Sequence, residues 1–161
     1  MKKFLSYLLF NVQISILIGQ NINYTKIYPS GKPKVISYVV SKGVDKVRTE
    51  EYFGNGTLKK EGYYQFGNKQ GAWKSYYSSG NLKKKENFNK DKLDGEMIEW
   101  HQNGKKKEKG VFRNGRREGI FFSWKEDGSL YSKQSFVNGL MCYIIKYSDN
   151  GSITTVDNYC E

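Results

Sequence analysis

Few side chains in this 161-residue chain have the type and spacing for covalent chemistry. His101 is the only histidine, Cys142 and Cys160 are the only thiols, and Asp91 with Asp94 and Glu96 with Glu99 are candidate carboxylate pairs. An imidazole base needs a reacting partner within reach, and a zinc site of ordinary spacing needs more His and Cys than these. Paired carboxylates working as acid and base need an apolar pocket to separate their pKa values, and the polar sequence around both pairs offers none. No G-x-S-x-G elbow and no P-loop accompanies the serines. His101 stands two residues before Asn103-Gly104 and reads as a solvated turn residue. No enzymatic activity, metal or cofactor is therefore expected. Cations, by contrast, are abundant. Residues 100–119, WHQNGKKKEKGVFRNGRREG, hold seven Lys or Arg, and the chain carries a net charge of +11. Such a charge favours anionic partners without specifying a fold.

The elements that must position these groups are legible as a repeat. Gly56, Gly80, Gly104, Gly128 and Gly151 recur at steps of 24, 24, 24 and 23 residues. Tyr64, Phe88, Phe112 and Phe136 keep the 24-residue step, as do Trp73, Met97 and Phe121. So do Tyr76, Trp100 and Trp124, with Tyr147 following at 23. Leu58, Leu82 and Leu130 fill a further column that Lys106 interrupts. Asn55-Gly56, Ser79-Gly80, Asn103-Gly104, Asp127-Gly128 and Asn150-Gly151 are dipeptides that favour tight hairpin turns. A second, looser turn follows each Phe column, as at Asn114-Gly115 and Asn138-Gly139. Each unit is thus two short antiparallel strands. Leu82 and Phe88 share a face if no bulge intervenes, whereas Trp73 and Tyr76, three apart, need a bulge to point inward together. Stacked hairpins bury an apolar face only against one another, so the aromatic columns are expected to form a ladder of core.

The segments GAWKSYYSSG (71–80), GEMIEWHQNG (95–104) and GIFFSWKEDG (119–128) resemble the MORN repeat, in its bacterial variant. Chains of such variants are commonly labelled the YwqK-type antitoxin family. The resemblance spans about residues 52–151 and implies an all-β fold, an elongated antiparallel sheet of stacked ~24-residue β-hairpin repeats. It supplies no catalytic residues, and it implies contacts with proteins, a toxin among them, and sometimes with membranes. The expected organisation is a signal peptide over 1–20, a degenerate N-terminal repeat or cap over 21–51, four repeats over 52–146 and a capping half-repeat over 147–161. The signal peptide is read from Lys2-Lys3, an apolar middle and the small-residue junction near Gly19, which imply a periplasmic, cell-surface or secreted protein.

In the repeat register the lysines fall into two columns: Lys59, Lys83 and Lys107, and Lys85, Lys109 and Lys133. Equivalent strands lie roughly 9–10 Å apart, so an exposed ladder of like charge is tolerable at physiological screening. These columns either bind a protein or an anionic envelope surface, or they keep a scaffold soluble. Nucleic acid is disfavoured, because bases need exposed aromatics beside the cations and these aromatics are assigned to core. In an oxidising compartment Cys142 and Cys160 are expected to form a disulfide. A three-residue turn at 150–152 would oppose residues whose numbers sum to 302, as 142 and 160 do; a two-residue turn would shift that register by one.

Overall fold

The computed structural model describes residues 21–41, 43 and 45–160, so the expected signal peptide lies outside the described residues. Thirteen strands follow in order. The first six are β1 (Asn21–Ile27), β2 (Pro33–Ser41), β3 (Lys46–Tyr52), β4 (Leu58–Gln65), β5 (Asn68–Tyr76) and β6 (Leu82–Asn89). Next come the two-residue β7 (Lys92–Leu93), β8 (Gly95–Trp100), β9 (Lys106–Arg113) and β10 (Arg116–Trp124). The last are β11 (Leu130–Val137), β12 (Leu140–Tyr147) and β13 (Ile153–Asn158). They form one antiparallel sheet in chain order, joined by hairpins, except that β7 and β8 follow one another along the same side of β6. The all-β repeat architecture read from the 24-residue columns is the observed one.

The two turn classes exchange the roles read from sequence. The glycine-column turns close three-residue loops, over 28–32, 53–57, 77–81, 101–105, 125–129 and 148–152. In each, the first N–H donates to the fifth carbonyl at 2.8–2.9 Å, and the glycine N–H donates back to the first carbonyl at 2.9–3.0 Å. That glycine sits at φ between +81° and +94°, the left-handed position that ends a three-residue hairpin loop. The tighter, two-residue turns are those after the Phe columns: Phe66-Gly67, Lys90-Asp91, Asn114-Gly115 and Asn138-Gly139. Both of their central residues have positive φ, as a type I′ turn requires.

Each three-residue loop is flanked by a register shift, at Lys26/Ile27, Glu51/Tyr52, Ser75/Tyr76, Glu99/Trp100, Ser123/Trp124 and Lys146/Tyr147. A second irregularity centres on Gly71, Gly95 and Gly119, all at positive φ. The bulges decide which side chains share a face. Tyr64, Trp73 and Phe88 meet edge to face, with centroids 5.0 and 6.2 Å apart, and Phe112, Phe121 and Phe136 repeat the arrangement at 5.4 and 5.2 Å. Trp73 and Phe121 are each 1% exposed, and Met97 and Phe136 complete a packed face. Burial of one such side chain stabilises by about 1.5–3 kcal/mol.

The column Tyr76, Trp100, Trp124 and Tyr147 is not part of that core. The Tyr76 hydroxyl donates to Glu61, and the Phe122 and Trp124 rings stack with centroids 5.9 Å apart; both partners alternate with residues of the packed face and so lie on the opposite one. Leu82 pairs with Tyr76 and joins it there, while Phe88 packs on Trp73, so the expectation of a shared face for Leu82 and Phe88 fails at the bulge between them.

Candidate binding surfaces

Side chains of directly paired residues project from the same face, so the ladder places each lysine. Lys74, Lys85, Ile98, Lys109, Phe122, Lys133 and Ile145 are partners in turn across seven successive strands. The column Lys85, Lys109 and Lys133 is therefore one row, on the face of Trp100 and Trp124, with Ile98 and Phe122 standing between its lysines. Lys109 is paired with Glu96 at 2.8 Å, which holds that carboxyl below its usual range. Lys85 and Lys133 make no ion pair among the described residues.

The column Lys59, Lys83 and Lys107 is built differently. These are the extra residues of the loop bulges and have no partner in the ladder. Lys59 lies over the Phe53 ring at 5.8 Å, Lys83 over Tyr77 at 5.5 Å, and Lys107 bonds Glu99 at 2.9 Å. Lys107 is held above its usual pKa first by the Glu99 hydrogen bond and then by that carboxylate's charge. The two columns thus do not form a single stripe of free charge.

Toward the N-terminal end the same face carries a network that sequence reading missed. Glu50, 8% exposed, accepts hydrogen bonds from Tyr38 at 3.2 Å and Tyr52 at 2.6 Å, and pairs with Arg48 at 2.7 Å. Arg48 also reaches Glu61 at 3.0 Å, and Tyr76 donates to Glu61 at 2.6 Å. Burial first, then Glu50, pushes the Tyr38 phenol up to about 12; burial and the Glu61 bond do the same for Tyr76, and Tyr52 is raised further still. Burial alone would raise the Glu61 carboxyl, but hydrogen bonds from Tyr76 and Arg48 and the charge of Lys74 hold it below its usual range. Arg48, Glu61, Tyr63, Ala72 and Lys74 border an open groove of about 290 Å³. No periodic signal marks this network, because Arg48 and Glu50 lie outside the regular columns.

His101 is not merely solvated. It is half-buried, and its Nε2 lies 2.9 Å from the Trp124 carbonyl of the next unit; a carbonyl only accepts, so Nε2 carries the proton. Tyr28 and Tyr77 occupy the same loop position and donate their hydroxyls to Tyr52 and Trp100 carbonyls at 2.9 and 2.7 Å. Asn55, Asn81 and Asn103 likewise reach the carbonyls of Ser78, Gln102 and Glu126 in the following loops. These bonds fasten loop to loop along one edge of the sheet.

Cys142 and Cys160 are joined by a disulfide, although the register differs from the one expected. Pairs of β12 with β13 sum to 301, as Ile144 with Asp157 does, so position 142 would face 159. The ladder ends at Asn158, and the Tyr159 N–H then donates to the Cys142 carbonyl at 2.7 Å, which carries Cys160 across to its partner. Among the described residues no three His, Cys, Asp or Glu converge to hold a metal ion.

Fold and edge contacts together define a repeat scaffold of stacked β-hairpins. The MORN repeat variant matches residues 69–90, 93–114 and 117–138, each stretch holding one three-residue loop and the strands that flank it. The chain thus carries three consecutive MORN repeat variants, a non-catalytic repeat type that often binds proteins or membranes. No curated protein matches the sequence.

Proposed function

We propose that the chain is an exported, non-catalytic scaffold that binds another protein through the face bearing Ile98, Trp100, Phe122, Trp124 and Ile145. The observation that carries this reading is the row in which large apolar side chains alternate with Lys85, Lys109 and Lys133 on a half-buried surface. Protein interfaces favour such aromatic anchors at their centre with polar groups around them. The Lys2-Lys3 head with its apolar run supports export, and so does the disulfide, which an oxidising compartment permits. The likeness to YwqK-type antitoxin chains adds an immunity-like role, whose target would then act outside the cytoplasm. Contact with an anionic envelope surface is the second reading, favoured by the lysines of the same row. Cross-linking in producing cells followed by mass spectrometry tests the first: one protein recovered with the wild type and lost with Trp100→Ser/Phe122→Ser is the expected result. Retention by a folded variant would remove this face from the reading. Recovery of the intact Met1 form from the soluble cytoplasm would remove export.

A further inference from the structure

A charge that recurs in every unit belongs to the repeat, whereas one that occurs in a single unit needs a separate reason. The two-residue turns provide the comparison. Gln65, Asn89, Arg113 and Val137 precede them, and Asn68, Lys92, Arg116 and Leu140 follow. Cations fill both positions only around Asn114-Gly115, with Lys92 of the preceding turn beside them. Lys92, Arg113, Asn114, Arg116, Glu118 and Asn138 line an open groove of about 460 Å³.

This groove gathers three cations around a single carboxylate. Some cations of the sheet pair with a nearby carboxylate, as Lys84 does with Glu86 at 3.0 Å and Arg117 with Glu108 at 2.7 Å. Lys92, Arg113 and Arg116 pair with no carboxylate among the described residues, although Glu118 lines the same groove. Glu118 Oε2 instead accepts the Asn138 backbone N–H at 2.9 Å, which ties it to the next turn. The Arg116 stem is fixed as well, since it lies against Gly139, where an added Cβ would meet it at 3.3 Å. Three positive charges and one negative one are left facing solvent, a double positive excess with the Asn114 and Asn138 carboxamides beside it.

We propose that this groove binds the phosphate dianion of a phosphomonoester. Two guanidinium forks match phosphate oxygens in bidentate fashion, the lysine adds a point charge, and the carboxamides can donate to remaining oxygens. A groove of this size falls within the range that holds a small organic ligand such as a phosphorylated sugar. A carboxylate or sulfate ester carries one charge and complements the site less well.

The test is an NMR titration of the full chain with inorganic phosphate, with a hexose phosphate, and with phosphatidic acid vesicles set against phosphatidylserine vesicles. Saturable shifts at the Gly115 and Asn138 amides are expected with phosphate. Arg113→Gln/Arg116→Gln should weaken them by about tenfold or more, as loss of charge-assisted bonds implies. Lys85→Gln/Lys133→Gln, which removes cations of the periodic row, should change affinity by less than about twofold, since that row lies away from the turn. Binding of the hexose phosphate should weaken as pH falls through about 6, where a phosphomonoester loses its second charge. Tight binding of the hexose phosphate identifies a soluble ligand, and preference for phosphatidic acid identifies a lipid headgroup; either supports the site. Unchanged phosphate shifts in the arginine variant, equal weakening in both variants, or no response to pH would overturn it. Amide shifts remote from the turn confirm that each variant is folded.

Discussion

At Gly62 and Gly110 the absence of a side chain is itself a packing device. A Cβ at either position would come well inside 3.0 Å of the ring carbons of Trp73 or Phe121, the two most deeply buried aromatics. The two glycines stand two repeats apart, with Glu86 and Gln134 at the equivalent places in the other units, so a search at one-repeat spacing passes over them. Gly110→Ala is expected to destabilise by about 1–3 kcal/mol through overpacking. Gly54→Ala, where nothing lies within 4 Å and φ is ordinary, should stay within about 0.5 kcal/mol. Urea unfolding compares them, and equal midpoints would show that the ring does not press on the strand. The tyrosines of the Glu50 and Glu61 network give a second expectation. Their phenols hold protons more tightly in the folded chain, so between pH 10.0 and about 12 the native state binds more protons than the unfolded one. The stability they contribute is whole below pH 10.0 and is lost as pH rises toward 12. Urea midpoints across that window should fall, and Tyr38→Phe with Tyr76→Phe should flatten the fall.

At the scale of the element, periodicity exposes the loops and hides the faces. Glycines every 24 residues mark the positive-φ position that a three-residue loop needs, so the hairpins are legible from sequence. Parity is not legible, because each unit contains two irregularities, one at the loop and one near Gly71, Gly95 or Gly119, and each shifts which residues share a side. The recurrence of aromatics, against their parity, assigned the Trp100 and Trp124 column to the core, and counting by twos joined Leu82 to the face of Phe88 only for a strand without the bulge that lies between them. The lysine columns suffered the same way, since Lys83 is the extra residue of a bulge while Lys85 is a ladder residue. The Cys pairing survived a register wrong by one, because beyond Asn158 the chain leaves the ladder while Tyr159 still bonds Cys142. The bond clamps β13, which among the described residues pairs only with β12; its Ile153 and Val156, and Tyr159 just beyond it, are 57–59% exposed. Cys142→Ser/Cys160→Ser is expected to destabilise by about 2–4 kcal/mol in urea. Thiol titration of unfolded, unreduced wild type should find no free thiol, and two free thiols would refute the clamp.

For the whole molecule the question is what the basic excess does once its pairs are counted. Lys109 and Lys107 already face Glu96 and Glu99, so reversing them would set like charges together and confuse a binding effect with a folding one. Lys85 and Lys133 carry no such partner, which makes Lys85→Glu/Lys133→Glu the cleaner variant. If this face holds an anionic envelope surface, the variant should release vesicles of anionic lipid, and wild-type binding should fall steeply with salt, because such contacts act over a Debye length of roughly 8 Å at physiological ionic strength. If the face holds a protein through Ile98, Trp100, Phe122 and Trp124, apolar burial is the larger contribution. Reversal should then slow association and leave dissociation nearly unchanged, the pattern of charges at the rim of an interface. Surface plasmon resonance with the cross-linked partner, at low and high salt, separates the two. Vesicle binding by the charge-reversed variant at high salt would exclude the electrostatic reading, and a dissociation rate raised by the reversal would place the lysines at the centre of the contact and not at its rim.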